Sequence, residues 1–348
     1  MPKIAIIGTT TWGITLSMVL TRKGLKVRLW ARTDKEAKQL RDRGPEPTLL
    51  PGVTFPPQLT ITSSLKEAMD DVNAVILAVP SQTMRQNMKL IAPHLKGSML
   101  VISATKGLEI DSSKRMSEVI AEEIAPGLTS NICVLSGPNL SGEILRNLPA
   151  ASVVAAGVEA VSQKAQNLLA APNFSVYTNS DIVGVELSGA LKNIIALGAG
   201  MADGLGYGDN AKAALITRGL TEISALGVTL GASPLTFSGL AGMGDLVATC
   251  ASPLSRNHTV GVELTKGRPL QEILDSMDGV AEGVATTLVA WNLAQKLGLE
   301  MPITEKIHSV LYDGADPSQA MVQLLGAQGR HELAGRRWKL FAMFRNRG

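Results

Sequence analysis

Five residues, Lys3-Ile-Ala-Ile-Ile7, run straight into Gly8-Thr9-Thr10-Thr11-Trp12-Gly13 and then into an apolar-periodic stretch from Ile14 to Leu20. A short buried strand that feeds a glycine turn and then a helix leaves few folds open. It is the opening unit of a dinucleotide-binding sheet. There the first glycine makes the turn and the last lets helix pack on strand. The middle one admits the pyrophosphate to the N–H groups at the helix N-terminus. Thr10 stands at that middle position.

Strand and helix signals go on alternating. Lys26–Trp30 reads as a second strand, followed by a polar helix from Asp34 to about Arg43 and a Pro/Gly-rich loop from Gly44 to Pro57. Ala74–Val79 is a continuous apolar run stopped by Pro80, as in a parallel strand covered on both faces. Ser81 is placed to cap the helix that follows. Met99–Ser103 and Ile132–Ser136 repeat the pattern, and Ala151–Ala156 and Phe174–Tyr177 add further strands. This spacing predicts a doubly wound parallel sheet.

The pattern changes near Ser180, where helix formers and glycine punctuation replace strand runs and an apolar stretch, Ile182 to Met201, predicts a buried helix between domains. The fold class is therefore α/β: an N-terminal Rossmann-type doubly wound sheet over residues 1–180, then an all-helical domain over 181–329. A basic tail, 330–348, completes the chain of 348 residues.

Of the 33 Lys and Arg, six lie in that tail against one of the 30 acids, so the body carries 27 basic and 29 acidic groups and offers no nucleic-acid surface. Apolar runs are read as strand-sized, too short to cross a bilayer, and the strand that starts at Lys3 leaves no room for a signal peptide. Cys133 and Cys250 lack metal spacing and read as buried thiols in a reducing compartment, which predicts a cytoplasmic protein. The four histidines are scattered. No metal-ligand cluster or Ser-His-Asp pattern appears, and no metal is expected.

Candidate chemistry gathers at strand ends, where ligands of open α/β sheets bind. Arg32 lies 19 residues past Gly13, where an acid would mark NAD; a guanidinium there suits a 2′-phosphate and favours NADP(H), with a strand-capping surface arginine as the plain alternative. Lys106, in Ser103-Ala-Thr-Lys106-Gly107, is either a cleft cation or a solvated loop lysine. Ser136-Gly137-Pro138-Asn139 is another strand-end turn at the same mouth. Lys192 stands inside the apolar stretch, with small residues, Ser188, Gly189 and Ala196, on its helix face. Those neighbours predict a substrate-sized pocket around its ammonium, and apolar surroundings beside a second cation predict a lowered pKa suited to proton exchange. Asp245, ending the glycine-rich run from Phe237, reads as a helix cap or as a cleft acid. Ser255-Arg256-Asn257-His258 at a predicted helix start suits a phosphate.

Eight strings, in order and spanning roughly residues 3–329, resemble the bacterial NAD(P)-dependent glycerol-3-phosphate dehydrogenase family. They are Gly8…Trp12-Gly13, Ala104-Thr-Lys106-Gly-Leu-Glu109, Ser136-Gly-Pro138, Gly189-Ala-Leu-Lys192-Asn193, Asn210-Ala-Lys-Ala-Ala-Leu-Ile-Thr-Arg218-Gly219, Gly239-Leu-Ala-Gly-Met-Gly-Asp245-Leu, Ser255-Arg-Asn257 and Val280-Ala-Glu282-Gly283.

The resemblance implies reversible reduction of dihydroxyacetone phosphate to sn-glycerol 3-phosphate for glycerophospholipid synthesis, with NADP(H) preferred and NAD(H) possible. It implies Lys192 as the proton-transfer residue and Lys106 as a second catalytic cation. Both also contact substrate, together with Gly137, Asn139, Asp245, Ser255, Arg256 and Asn257. Cofactor contacts would come from Thr11, Trp12, Arg32, Lys106, Ser141, Arg256, Val280 and Glu282. Thr10, Asn139 and Ser141 depart from the family pattern near the cleft mouth, which implies a shifted cofactor affinity.

Other readings of the same residues are a β-hydroxyacid or 6-phosphogluconate-type dehydrogenase, which would lack the Ser255-Arg-Asn257 cluster, and a non-catalytic dinucleotide sensor. A homodimer is expected. Trp338, Phe341 and Phe344, interleaved with Arg and Lys, read as a weak membrane-surface contact or as a tail packed on protein.

Overall fold

A computed structural model describes residues 2–45, 50 and 52–326; the basic tail, with its membrane-contact reading, lies outside the described residues. The first half is one eight-stranded sheet. Its strands are β1 Lys3–Ile7, β2 Lys26–Trp30, β3 Leu59–Thr62, β4 Ala74–Leu77, β5 Leu100–Ser103, β6 Ile132–Ser136, β7 Ala150–Ala156 and β8 Phe174–Asn179. They lie in the order β3-β2-β1-β4-β5-β6-β7-β8. Seven α-helices accompany them among the described residues: α1 Thr11–Arg22, α2 Asp34–Arg43, α3 Leu65–Met69, α4 Met84–Ile91, α5 Met116–Glu123, α6 Ser141–Leu145 and α7 Glu159–Leu169. Apolar clusters cover both faces of the sheet, one built on Ile4, Ile6, Ile76 and Ile102 and the other on Ala5, Ile7, Val75 and Leu77. Burial of alternate residues on both faces is why these strands read as unbroken apolar runs.

Two features of the sheet differ from the sequence reading. β7 runs antiparallel to β6, pairing Ser136 with Val153, so the sheet is not parallel throughout. The connection between them, residues 137–149, carries the five-residue helix α6. β3 and the single-turn α3 carry no signal strong enough to be read: Leu-Thr-Ile-Thr is a four-residue edge strand, paired on one side only, with β2.

The second half consists of helices among the described residues: α8 Ile182–Gly204, α9 Asp209–Thr229, α10 Pro234–Phe237, α11 Asp245–Ala251, α12 Arg256–Thr265, α13 Leu270–Asp275, α14 Glu282–Leu297, α15 Pro302–Tyr312 and α16 Pro317–Leu325. α8 is the axis, with every residue from Gly184 to Ala202 buried. By length and composition α8 could cross a bilayer, which corrects the reading that apolar runs here are only strand-sized. Its apolar surface is instead covered by protein, since Leu191, Ile194, Ile195 and Leu197 share a core with Leu215, Ile223, Leu246 and Val260. A helix apolar all round is what a central core helix requires.

Buried carboxylates tie the halves together. Glu186 of α8 accepts hydrogen bonds from the Ser117 N–H at 2.7 Å and from Ser117 Oγ and Arg115 Nη1, each at 2.5 Å. Glu282, first residue of α14, accepts from the Ser81 N–H at 2.9 Å and from the Ser81 hydroxyl. Ser81 was placed by sequence as a helix cap; its hydroxyl goes across the domain boundary instead, and the turn there begins at Pro80.

Candidate active site

Sheet order reverses between β1 and β4, and ligands of such sheets sit beyond the strand ends at that switch point. A cleft of about 920 Å³ opens there, running from the β1–α1 turn to the middle of α8. Gly8 takes φ +112° and a Cβ on it would meet the Ala78 carbonyl oxygen at 2.5 Å; one on Gly13 would meet the Gly8 oxygen at 2.1 Å. Both positions therefore demand glycine. Thr10 does not: with φ −61° it is the N-cap of α1, accepting from the Gly13 N–H at 3.1 Å and donating to the Ala78 oxygen at 2.7 Å. The hydroxyl is thus turned onto protein. Thr11 and Trp12, the first residues of α1, line the cleft, and the first N–H groups of a helix have no intrahelical partner. Two buried donors of lining residues, Trp12 Nε1 and Asn139 Nδ2, have no protein partner among the described residues. A glycine cradle, a helix N-terminus and two unpartnered donors fit a dinucleotide.

Two lysines meet on one carboxylate at the inner end of the cleft. Lys192, in mid-α8, is 5% exposed, and Asp245, opening α11, is 1% exposed. The Lys192 ammonium donates to Asp245 Oδ1 and to Thr249 Oγ1. Lys106, on the loop after β5, donates to Asp245 Oδ2 at 2.5 Å and to the Gly137 carbonyl at 2.9 Å. Burial pushes the Lys192 ammonium down to about 8; Asp245 opposes that shift and the Lys106 charge adds to it. Asp245 caps nothing: Gly244 precedes the helix, and the carboxylate bridges the lysines. Lys192 lines the cleft, and one of its small helix-face neighbours, Gly189, serves packing. A Cβ on Gly189 would meet Ser136 Oγ at 2.4 Å and Lys106 Cδ at 3.6 Å, so this glycine brings α8 onto the end of β6.

Ser255 caps α12 by accepting from the His258 N–H at 3.3 Å, and Arg256, its first residue, lines the cleft. Asn257 is a pin: its Nδ2 donates to Asn193 Oδ1 and its Oδ1 accepts from the Gly283 N–H, both at 2.9 Å. Asn139 Oδ1 accepts from Ser152 Oγ at 2.6 Å, which fixes the direction of its amide. Ser141, Val280 and Glu282 also line the cleft. Arg32 does not. Its guanidinium turns to α4, held by Gln86 Oε1 at 3.3 Å and Asn87 Oδ1 at 3.1 Å. Three contributors escaped the sequence reading. Thr249 had a readable signal, lying one turn from Asp245 on α11. Ser81 as partner of Glu282, 201 residues away, had none. Glu36, at the outer end, lies off the motif spacing.

The family model for the NAD-dependent glycerol-3-phosphate dehydrogenase N-terminus matches residues 3–162, and that for its C-terminus matches residues 181–322. A glycerol-3-phosphate dehydrogenase [NAD(P)+] of Dehalococcoides mccartyi (strain 195) is 62% identical over 348 residues, covering 100% of this chain and 97% of the relative. One from Geobacter metallireducens is 48% identical over 324 residues, 93% of this chain and 96% of the relative. The 2.1 Å crystal structure of glycerol-3-phosphate dehydrogenase from Coxiella burnetii superimposes with a TM-score of 0.88 at 38% identity, covering 94% of this chain and 99% of that one. With both halves matched and the cleft between them lined as described, the chain belongs to the NAD-dependent glycerol-3-phosphate dehydrogenase family.

Proposed function

We propose that the chain transfers hydride reversibly between a nicotinamide dinucleotide and C2 of dihydroxyacetone phosphate, with Lys192 as the proton donor to the C2 oxygen. The observation that carries this is the Lys192–Asp245–Lys106 arrangement at the inner end of a cleft whose outer wall is the glycine turn. When bound, the dihydronicotinamide supplies the hydride. Lys192, held near 8, is largely protonated at neutral pH yet gives up its proton readily as negative charge develops on the C2 oxygen. Asp245 and Thr249 aim that ammonium, and Lys106 presents a second cation to the developing alkoxide. The Arg256 guanidinium, with Ser255 and Asn257 at the start of α12, supplies the charge and donors for the substrate phosphate, beside Gly137 and Asn139. Thr11, Trp12, Ser141, Val280 and Glu282 line the cofactor side.

NADP(H) is the preferred cofactor in this reading and NAD(H) the accepted one. Its support is Arg32 at the end of β2, whose guanidinium is held by neutral amides and has no carboxylate within ion-pair distance among the described residues. The product serves as a glycerophospholipid backbone. Steady-state assays of the purified chain with dihydroxyacetone phosphate and NADPH or NADH test the reading, and no turnover with either cofactor refutes it. A homodimer and a lipid contact of residues 330–348 belong to the same reading. Sedimentation tests the first. Liposome co-sedimentation against a chain ending at Gly329 tests the second.

A further inference from the structure

Beside the outer end of the cleft, in a smaller adjoining pocket, lies a carboxylate that the proposed reaction does not use. Glu36, in the first turn of α2 and half-buried, accepts from the Thr9 hydroxyl and, at 3.0 Å, from the Arg32 N–H. Thr33 caps the same turn by accepting from the Glu36 N–H at 3.2 Å, which fixes where the side chain starts. Thr9 follows the first fingerprint glycine, and Arg32 follows β2, so Glu36 bridges the two segments between which the adenosine ribose of a dinucleotide lies. A pocket of about 260 Å³ opens beside it, lined by Thr9, Thr11, Glu36, Gln39 and Leu40 among others, and shares Thr9 and Thr11 with the main cleft.

Two groups of opposite sign therefore follow β2: Glu36, which lines the smaller pocket, and Arg32, whose backbone N–H meets Glu36 while its guanidinium turns to α4 and lines neither cavity. The Arg32 guanidinium, whose partners among the described residues are the neutral amides of Gln86 and Asn87 on α4, attracts a 2′-phosphate when it swings back from them. The Glu36 carboxylate repels it, and it already occupies a hydroxyl and an N–H that an anion there would use. A ribose 2′-hydroxyl, being a donor, is complementary to that same carboxylate.

We propose that Glu36 is a specificity-determining residue that holds back NADP(H) at the ribose subsite and keeps NAD(H) usable. This rests on the dehydrogenase reading but is separable from it. Full-length parent, Glu36→Gln and Arg32→Ala chains are compared by kcat/KM for NADPH and NADH, and by calorimetric binding of 2′,5′-ADP and 5′-AMP. Glu36→Gln is expected to raise the NADPH-to-NADH ratio by about tenfold, through a lower KM for NADPH at unchanged kcat. The same variant should tighten 2′,5′-ADP by a similar factor and leave 5′-AMP unchanged or weaker, while Arg32→Ala moves both ratios the opposite way. A fragment-binding ratio that Glu36→Gln leaves unaltered overturns the inference whether or not the enzyme turns over. Absence of turnover in the parent, with the fragment ratio shifting as stated, overturns the dehydrogenase reading and leaves the role of Glu36 standing.

Discussion

Replacing Asp245 with Asn removes the charge that both lysines share while keeping a side chain of the same shape. Lys192 lies near 8 because burial outweighs the attraction of that carboxylate. Unit charges about 4 Å apart at an effective dielectric of about 20 interact by about 4 kcal/mol, and about 1.4 kcal/mol corresponds to one pKa unit. Loss of the carboxylate therefore lowers the Lys192 pKa by as much as about three units, toward about 5. The proton donor is then about one-hundredth protonated at pH 7, against about nine-tenths in the parent. The assay is kcat/KM for dihydroxyacetone phosphate reduction at saturating NADPH, between about pH 5 and about pH 9. In the parent the rate of reduction falls as pH rises through about 8, and that of glycerol 3-phosphate oxidation rises, since oxidation needs the neutral amine. In Asp245→Asn the falling limb moves to lower pH and the loss is greatest near neutrality, partly recovering in acid. A falling limb still near 8, with equal loss at every pH, refutes the electrostatic reasoning and leaves Asp245 a positioning residue only.

Lys192→Met abolishes turnover while leaving binding of NADPH, measured by its fluorescence, within about threefold, because the lysine lies at the opposite end of the cleft from the glycine turn. Ser81→Ala removes the hydroxyl that donates to the Glu282 carboxylate and lowers stability by about 1.5–3 kcal/mol, the range for a hydrogen bond to a charged group, read by urea denaturation. Glu222 of α9 accepts from the Ile303 and Thr304 N–H groups, each at 2.8 Å, and burial pushes its carboxyl up to about 7. A raised acid contributes fully below its ordinary value near 4.5 and loses that contribution as pH rises through about 7. Stability therefore falls across that window by at most about 3 kcal/mol, and Glu222→Gln flattens the fall.

The sheet was legible where burial on both faces made a strand read as one apolar run, as at Ile4–Ile7 and Ala74–Leu77. It was illegible at Leu59–Thr62, where an edge strand four residues long has little apolar content to show. The reversal of β7 was hidden because periodicity carries burial but not direction. In the candidate site, Lys192 stood out as a charge within an apolar helix, and Lys106 by its strand-end loop. Asp245 was ambiguous because an acid at the start of a helix looks alike whether it caps that helix or reaches another element. Arg32 was placed rightly at the end of β2, but the direction of its guanidinium depends on Gln86 and Asn87, more than fifty residues away in sequence.

Sequence alone determined the two-part plan, the glycine turn that demands Gly8 and Gly13, and the residue types available for proton transfer and phosphate binding. These follow from local burial and local sterics, which a chain carries wherever it goes. Tertiary structure decided the pairings: which carboxylate bridges Lys192 and Lys106, which serine holds Glu282, and that the Thr10 hydroxyl caps α1 and donates to the Ala78 carbonyl. It also decided that Glu36 sits between Thr9 and Arg32. A pair of charges acquires its energy only at the distance and burial where the fold puts it. The same lysine that is an ordinary cation on an exposed helix becomes, between α8 and α11, a group poised near neutral pH.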